Sequence, residues 1–282
     1  MGVLSEGTYV SANREEALRL VDEFEKRSST SAFPSADKSQ LIEGLRARII
    51  DPKIINQNHT MLCGPAAFVY SMASQDPVAY ARFIIDLYEK GRATVGKMTV
   101  SPSGALMRYS VPAGEIHVAD WIPLASIRNS KGSVVFFDKY DSVDEELPAM
   151  TLPSHLHSWI DEVGYTKVVD RTHVFGMSAE EGKKSLSDAI IYDREGYRVF
   201  LLIRASLVQG ESDGKKGKKA AKKGSSLPFP DHWVVLEEGD LADGIFWMRI
   251  YSWGQFYSIP PDATWTLDDV VTKYYGFIAG KY

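Results

Sequence analysis

The strongest constraint on the fold is a change in the spacing of apolar residues along the chain. In the first two thirds, apolar residues recur at helical spacing, as in Lys38–Ile50 and in the segment 77–90 that ends at Gly91. From Gly196 the pattern changes to continuous apolar runs such as Tyr197–Ile203, which are typical of buried strands. Helices followed by a cluster of sequential strands predict an α+β fold with an antiparallel sheet.

Short signals mark the ends of several predicted elements. Asp76-Pro77 and Cys63-Gly64-Pro65 are helix starts, because proline is tolerated in a first helical turn, and Ser178 with Glu181 forms a capping box. Residues 92–135 give no clear pattern. We expect helices over 14–27, 38–50, 63–74, 77–90, 152–163, 179–192 and 267–275, and strands over 197–203, 232–236 and 245–251.

The composition and the apolar runs argue against several classes of protein. Of 282 residues, 32 are Lys or Arg and 37 are Asp or Glu, and this mild acidity argues against a dedicated nucleic-acid-binding protein. The apolar runs fall far short of the roughly 20 residues that a membrane span needs. The N-terminus also lacks the basic and apolar layout of a signal peptide. The sequence therefore predicts a soluble protein that is cytoplasmic in the cell that makes it.

The chain is expected to divide at a run of small polar residues that begins at Ser28. This places an N-terminal helical extension with its linker at 1–35 and one main domain at 36–282. Within that domain, the segment at about 210–226 contains lysines among glycines and alanines and predicts a flexible loop. Such a loop could also act as a charged flap that attracts an acidic partner.

The single cysteine, Cys63, is the strongest candidate for chemistry. A thiol reacts as the thiolate, which a helix N-terminus and a neighbouring imidazole both favour. Cys63 lies at a predicted helix start, and His232, which opens a predicted strand, is the best placed of six histidines to pair with it. A buried structural cysteine, a structural histidine, and His59 as the base remain open alternatives.

No metal or cofactor is expected. The sequence has no pair of cysteines with zinc spacing, since it contains one cysteine in all. His155 and His157 are two positions apart in a predicted helix, so their side chains point to different sides.

Two segments, at about 55–75 and 196–259, resemble papain-like cysteine proteases. Gln57 lies six positions before Cys63, the spacing at which that family has a glutamine that donates to the oxyanion. His232 at a strand start, followed one strand later by Ser252-Trp253-Gly254, is similar to the family's histidine and its Asn-Ser-Trp-Gly segment. The segment 57–67 also resembles bacteriocin-processing peptidases and papain-fold effector toxins of bacterial secretion systems.

The resemblance implies a papain-like α+β domain, in which the nucleophile lies at a helix start and the following antiparallel sheet carries the histidine. Cys63 would be the nucleophile, His232 the base and then the acid, and Gln57 an oxyanion donor.

The sequence departs from the family at the residue that would orient the imidazole. The family's asparagine position holds Tyr251, which cannot accept the imidazole N–H in the usual way. Ser252 is our candidate for that role, while Gln255 and a backbone carbonyl stay open.

The implied activity is hydrolysis of an amide bond through a thioester. The resemblance favours a thiol protease that acts as a bacterial effector or toxin, as in type VI secretion, and leaves the cell through a system that needs no signal peptide. Its expected partners are a protein substrate and a cognate immunity protein. Glutamine deamidation, transglutamination and peptidoglycan amide hydrolysis proceed through the same acyl-enzyme and stay open, as does a catalytically dead interaction module.

Overall fold

The computed structural model describes residues 6–110, 114–131, 150–210, 229–242 and 245–282, and side chains from residue 12 onward. The chain divides into two compact units. The first comprises 1–143 with 162–164, and the second comprises 144–161 with 165–282. The lysine-rich segment predicted as a flexible loop lies outside the described residues.

The first unit is mainly helical, with a short antiparallel hairpin. Its elements are α1 (Glu6–Lys26), α2 (Lys38–Ile50), α3 (Cys63–Gln75), α4 (Pro77–Lys90), β1 (Ala93–Val95), β2 (Met98–Val100), α5 (Gly104–Arg108) and α6 (Val118–Lys131). The predicted starts of α3 and α4 are confirmed. Asp76 caps α4 by accepting the N–H of Ala79, and Gly91 ends the helix at a φ of +63°.

The core of the first unit forms around α3. Every residue from Cys63 to Ala73 is buried, which explains why this helix is apolar on all sides. The first helix packs against α2 and α4, and the ring of Phe24 meets that of Tyr88 edge-on at 5.5 Å. The segment predicted as an extension, 1–35, thus contributes α1 to this unit. No helix in the described part of the chain is long and apolar enough to cross a membrane.

A buried ion pair joins α2 to α6 within this unit. Arg48 Nε donates to Asp120 Oδ1 at 2.6 Å, and Arg48 Nη2 donates to Asp120 Oδ2 at 2.5 Å. Both residues are at most 5% exposed. Removing one partner of such a pair leaves an uncompensated buried charge, so the loss of either residue should be strongly destabilising.

The second unit is built on an antiparallel sheet. Its elements are α7 (Pro153–Glu162), β3 (Thr166–Asp170), α8 (Ala179–Arg194), β4 (Arg198–Ile203), β5 (His232–Ala242), β6 (Ile245–Ser252), β7 (Gln255–Ile259), α9 (Leu267–Val271) and β8 (Tyr274–Lys281). The six strands follow the order β3-β8-β4-β5-β6-β7, and all neighbours are antiparallel. The predicted α+β class with an antiparallel sheet is confirmed.

Helix α8 packs on one face of this sheet. Its start at Ser178 is the predicted capping box, in which the Ser178 and Glu181 side chains each bond to the other's backbone N–H. The buried cluster between helix and sheet includes Leu186, Ile190, Val199, Leu201, Val234, Leu236, Met248, Ile250 and Phe277. In β4, β5 and β6 these buried residues are two positions apart, so they share the face of the sheet that packs against α8.

The predicted C-terminal helix over 267–275 is wrong in its second half. Helix α9 ends at Val271, and β8 begins at Tyr274 between β3 and β4, with Tyr274–Gly280 all buried. A short apolar run of this kind does not distinguish a helix from a buried strand. Position 276 of this strand requires glycine, because a Cβ there would clash with the carbonyl oxygen of Arg171 and the φ is +97°.

Candidate active site

The predicted site residues are found in both units. Cys63 and Gln57 belong to the first unit, and His232 and Ser252 to the second. Within the second unit, the structure brings His232 and Ser252 into direct contact. Within the first, Gln57 lies in the turn that leads into the helix beginning at Cys63.

Cys63 is the first residue of α3 and is buried. The N–H groups of a first helical turn have no acceptor within the helix, and they carry the positive end of the helix dipole. The residue before it, Leu62, forms no side-chain cap, and Pro65 within the first turn carries no N–H. A helix start favours the thiolate form of a cysteine, whereas burial in apolar surroundings favours the thiol, and Cys63 has both features.

Gln57 is buried in a tight turn that ends at Thr60. The backbone oxygen of Gln57 accepts the Thr60 N–H at 3.2 Å and the Thr60 hydroxyl at 2.6 Å. In return, Gln57 Nε2 donates to the Thr60 carbonyl oxygen at 3.0 Å. An amide nitrogen carries two hydrogens, and this contact uses one of them. The turn therefore fixes the direction of the side-chain amide.

His232 and Ser252 meet at one end of the sheet. His232 opens β5 and Ser252 closes β6, and because these strands are antiparallel the start of one lies beside the end of the other. The distance from His232 Nε2 to Ser252 Oγ is 2.6 Å, and both residues are at most 3% exposed. Ser252, the candidate for orienting the imidazole, thus touches it, whereas Gln255 donates instead to the Tyr257 hydroxyl at 2.5 Å.

The indole of Trp253 stacks on one face of the imidazole of His232. The two ring centroids are 4.2 Å apart, and the planes are inclined by 16°. Trp253 and Gly254 form the two-residue turn between β6 and β7, with φ values of +43° and +74°. Positive φ at both central positions defines the type I′ hairpin turn. The turn therefore determines where the indole lies relative to His232.

Burial controls the charge of His232. Loss of water around the ring lowers the pKa of His232 to about 3, because the charged imidazolium is the form that burial disfavours. The imidazole is neutral in the resting protein at neutral pH. In the neutral ring, one nitrogen donates and the other accepts. If Nε2 donates to Ser252, Nδ1 is the nitrogen with a free lone pair.

The other histidines lie in different surroundings. His59 is exposed. His117 Nδ1 accepts the N–H of Ala119 at 3.1 Å before α6, and His157 Nδ1 is 3.9 Å from Asp170 Oδ2. Among the residues that the structure describes, no group of three or more His, Cys, Asp or Glu side chains could hold a metal ion.

Sequence reasoning misses the residues that support Gln57. Asn58 has a φ of +54° and donates its side-chain N–H to the carbonyl oxygen of Glu115. Asparagine is among the residues that tolerate this left-handed conformation, so a polar Asn-Gln-Asn run is the signal that could have identified the turn. The partner, Glu115, lies 57 positions away and has no local signal.

Comparison with protein-family models, with curated proteins and with solved structures finds no match to this chain.

Proposed function

We propose that this protein is a cysteine hydrolase that cleaves amide bonds through a Cys63 thioester, with a protein as its substrate. The proposal rests on two contacts of the His232 imidazole. One nitrogen contacts the Ser252 hydroxyl, and one face of the ring stacks on Trp253. A histidine fixed in this way at a strand end is oriented for proton transfer. Cys63 at a helix start supplies the matching nucleophile.

In the proposed first step, the Cys63 thiol transfers its proton to Nδ1 of His232. The sulfur attacks the carbonyl carbon, so a C–S bond forms and the carbonyl oxygen becomes negatively charged. The C–N bond then breaks, and the imidazolium returns its proton to the leaving amine. The reaction requires that the imidazole of His232 reach the thiol of Cys63.

Hydrolysis of the thioester completes the cycle. Water gives a proton to His232 and its oxygen attacks the thioester carbonyl carbon. The C–S bond breaks, the thiol regains its proton and the acid is released. Ser252 acts as a positioning residue: by accepting from Nε2–H it leaves the lone pair on Nδ1, where the proton must go.

Gln57 is the proposed donor to the oxyanion in both steps. Its side-chain amide has a second hydrogen beyond the one that bonds to Thr60. Removing one such donor from an oxyanion site costs about 10²–10³ in rate.

The biological setting that we propose is that of a bacterial effector or toxin, exported without a signal peptide and held in check by an immunity protein. This setting rests on the resemblance of the segment 57–67 to papain-fold effector toxins of bacterial secretion systems. Glutamine side chains and peptidoglycan amides would react through the same steps, so assays on each class decide the substrate.

One observation favours a second candidate, a non-catalytic interaction module on the same fold. Burial lowers the pKa of His232 to about 3, and a neutral imidazole does not by itself stabilise a thiolate. A module of this kind would keep the contact between His232 and Ser252 for stability alone.

Acylation by p-nitrophenyl acetate tests the hydrolase proposal. The thiolate attacks the ester carbonyl, p-nitrophenolate leaves, and the acetyl group stays on sulfur. We expect intact-protein mass spectrometry to show an acetyl group that is gained and then lost by hydrolysis. Cys63→Ala should lack this transient group, because acetyl groups on lysine amines are stable amides. His59→Gln is the matched control, because that histidine is exposed, and it should behave like the wild type. Acylation no faster than that of a small free thiol would contradict the proposal and favour the interaction module.

A further inference from the structure

Two asparagines flank Gln57, and they have opposite hydrogen-bonding roles. Asn56 Oδ1 accepts the backbone N–H of Asn58 at 2.7 Å. The Asn58 side-chain N–H donates to the carbonyl oxygen of Glu115. These assignments are unambiguous, because a backbone N–H can only donate and a backbone carbonyl can only accept.

The two contacts together fix the backbone on both sides of Gln57. The first closes a local turn over Gln57, and the second ties that turn to the segment before α6, whose helix is anchored to α2 by the buried Arg48–Asp120 pair. Asn58 is also the residue that adopts the left-handed conformation, at a φ of +54°. For residues other than glycine this conformation is uncommon, and asparagine and aspartate are the usual exceptions.

From this geometry we infer that Asn58 is a positioning residue for Gln57: its bond to Glu115 holds the turn in which the Gln57 amide is aimed. The inference rests on the proposed function for its effect on rate, since it takes Gln57 as the oxyanion donor. Its structural part, that the Asn58 donor orders residues 57–60, does not depend on the chemistry.

The same substitution at the two asparagines distinguishes the roles. Asn58→Asp keeps the shape and the tolerance of positive φ, but a carboxylate cannot donate to Glu115. Asn56→Asp keeps an acceptor for the Asn58 N–H and adds the same charge two residues earlier in the chain. Asn58→Gly adopts the same φ without strain and also lacks the donor, so it keeps the test valid if Asn58→Asp folds poorly.

Two reagents report on different parts of the site. Iodoacetamide alkylates the thiolate by displacement at a saturated carbon, with no oxyanion, whereas p-nitrophenyl acetate acylates it through an oxyanion. We expect Asn58→Asp and Asn58→Gly to lose about tenfold or more in acylation, short of the 10²–10³ expected for Gln57→Ala. Alkylation should stay unchanged, and Asn56→Asp should match the wild type in both reactions.

Amide hydrogen exchange supplies the structural readout. Exchange of the Thr60 N–H, which bonds to the Gln57 oxygen, should accelerate in Asn58→Asp and Asn58→Gly and not in Asn56→Asp. In the double variant Gln57→Ala with Asn58→Asp, acylation should be no slower than in Gln57→Ala alone, because Asn58 acts through Gln57.

The outcomes separate this inference from the hydrolase proposal. If Asn58→Asp exchanges and acylates like the wild type, the positioning role is wrong whatever the protein does. If exchange accelerates but acylation and alkylation fall together, Asn58 acts on overall stability and the inference is also wrong. If Gln57→Ala itself acylates at the wild-type rate, the oxyanion role of Gln57 fails, and the exchange data alone then show whether Asn58 orders the turn.

Discussion

The indole of Trp253 lies flat on the imidazole of His232, with the ring centroids 4.2 Å apart. Trp253 adopts this position at a φ of +43°, in a turn whose first central residue is usually asparagine or glycine. Holding a bulky residue in the left-handed region costs about 1–2 kcal/mol. The stack on His232 is one interaction that offsets this strain.

Trp253→Asn should expose His232 while preserving the hairpin. Asn-Gly is the preferred sequence for this turn, so the strands should keep their register. Because burial is what lowers the pKa of His232, admitting water should raise that pKa from about 3 toward its ordinary value of 6.5. Proton NMR titration of the imidazole measures the midpoint, and Trp247→Asn on the exposed side of β6 is the control. An unchanged midpoint would mean that the indole does not exclude water from the ring.

Ser252→Ala should destabilise the second unit. The substitution leaves Nε2 of a buried imidazole without its partner, and an unsatisfied buried polar group costs about 1–3 kcal/mol. Ser258→Ala, at an exposed position on β7, should change the free energy of unfolding by about 0.5 kcal/mol or less. Urea unfolding compares the two variants. Equal effects would show that the contact between Ser252 and His232 contributes nothing to stability.

The stability of the protein should depend on the ionisation of His232 in acid. The pKa of His232 falls from its ordinary value of 6.5 to about 3 on folding, so between these values the unfolded chain binds a proton that the folded chain does not. The stabilisation is present above pH 6.5 and is lost as the pH falls toward 3. Between these two pH values, His232 should make the free energy of unfolding rise with pH by up to about 1.4 kcal/mol per pH unit. In His232→Gln this part of the slope should disappear, and a variant with the full wild-type slope would refute the assignment.

Asp193 should have the opposite dependence on pH. It is half-buried at the end of α8, and burial together with Glu237 and Glu238 raises the pKa of Asp193 to about 6 despite the opposing Arg198. The folded state therefore binds the proton more tightly, and the stability that this gives is lost as the pH rises from the ordinary value near 4 through 6. Asp193→Asn should raise the free energy of unfolding at pH 8 by about 1 kcal/mol, since partial exposure screens the effect.

The control for that prediction is the same variant in acid. Well below pH 3.8, Asp193 is protonated in both the folded and the unfolded state, so the gain in the free energy of unfolding from Asp193→Asn should disappear there. A gain of the same size at both pH values would assign the effect to something other than ionisation.

Local signals predict much of the helical part of the fold. The starts of α3, α4 and α8 depend on residues within a few positions of each other, such as Asp76 with Pro77 and Ser178 with Glu181. Strand β8 depends instead on partners far away along the chain, β3 and β4, and its short apolar run gives no period that separates strand from helix.

The same distinction between local and distant determinants applies to the candidate site. The helix start at Cys63 follows from the sequence around it. The contact of His232 with Ser252 requires the register of β5 against β6, in which Val235 pairs with Tyr251. The two side-chain candidates, Ser252 and Gln255, become distinct only when that register is known.

The rate at which iodoacetamide alkylates Cys63, measured against pH, tests the proposed pairing of Cys63 with His232 most directly. Cys63 is the only thiol in the sequence, so the signal has one source. If the two residues act together, the midpoint lies well below the value of about 8.5 for an ordinary cysteine and rises toward it in His232→Gln. A midpoint at or above 8.5 that does not respond to His232→Gln would contradict the hydrolase account.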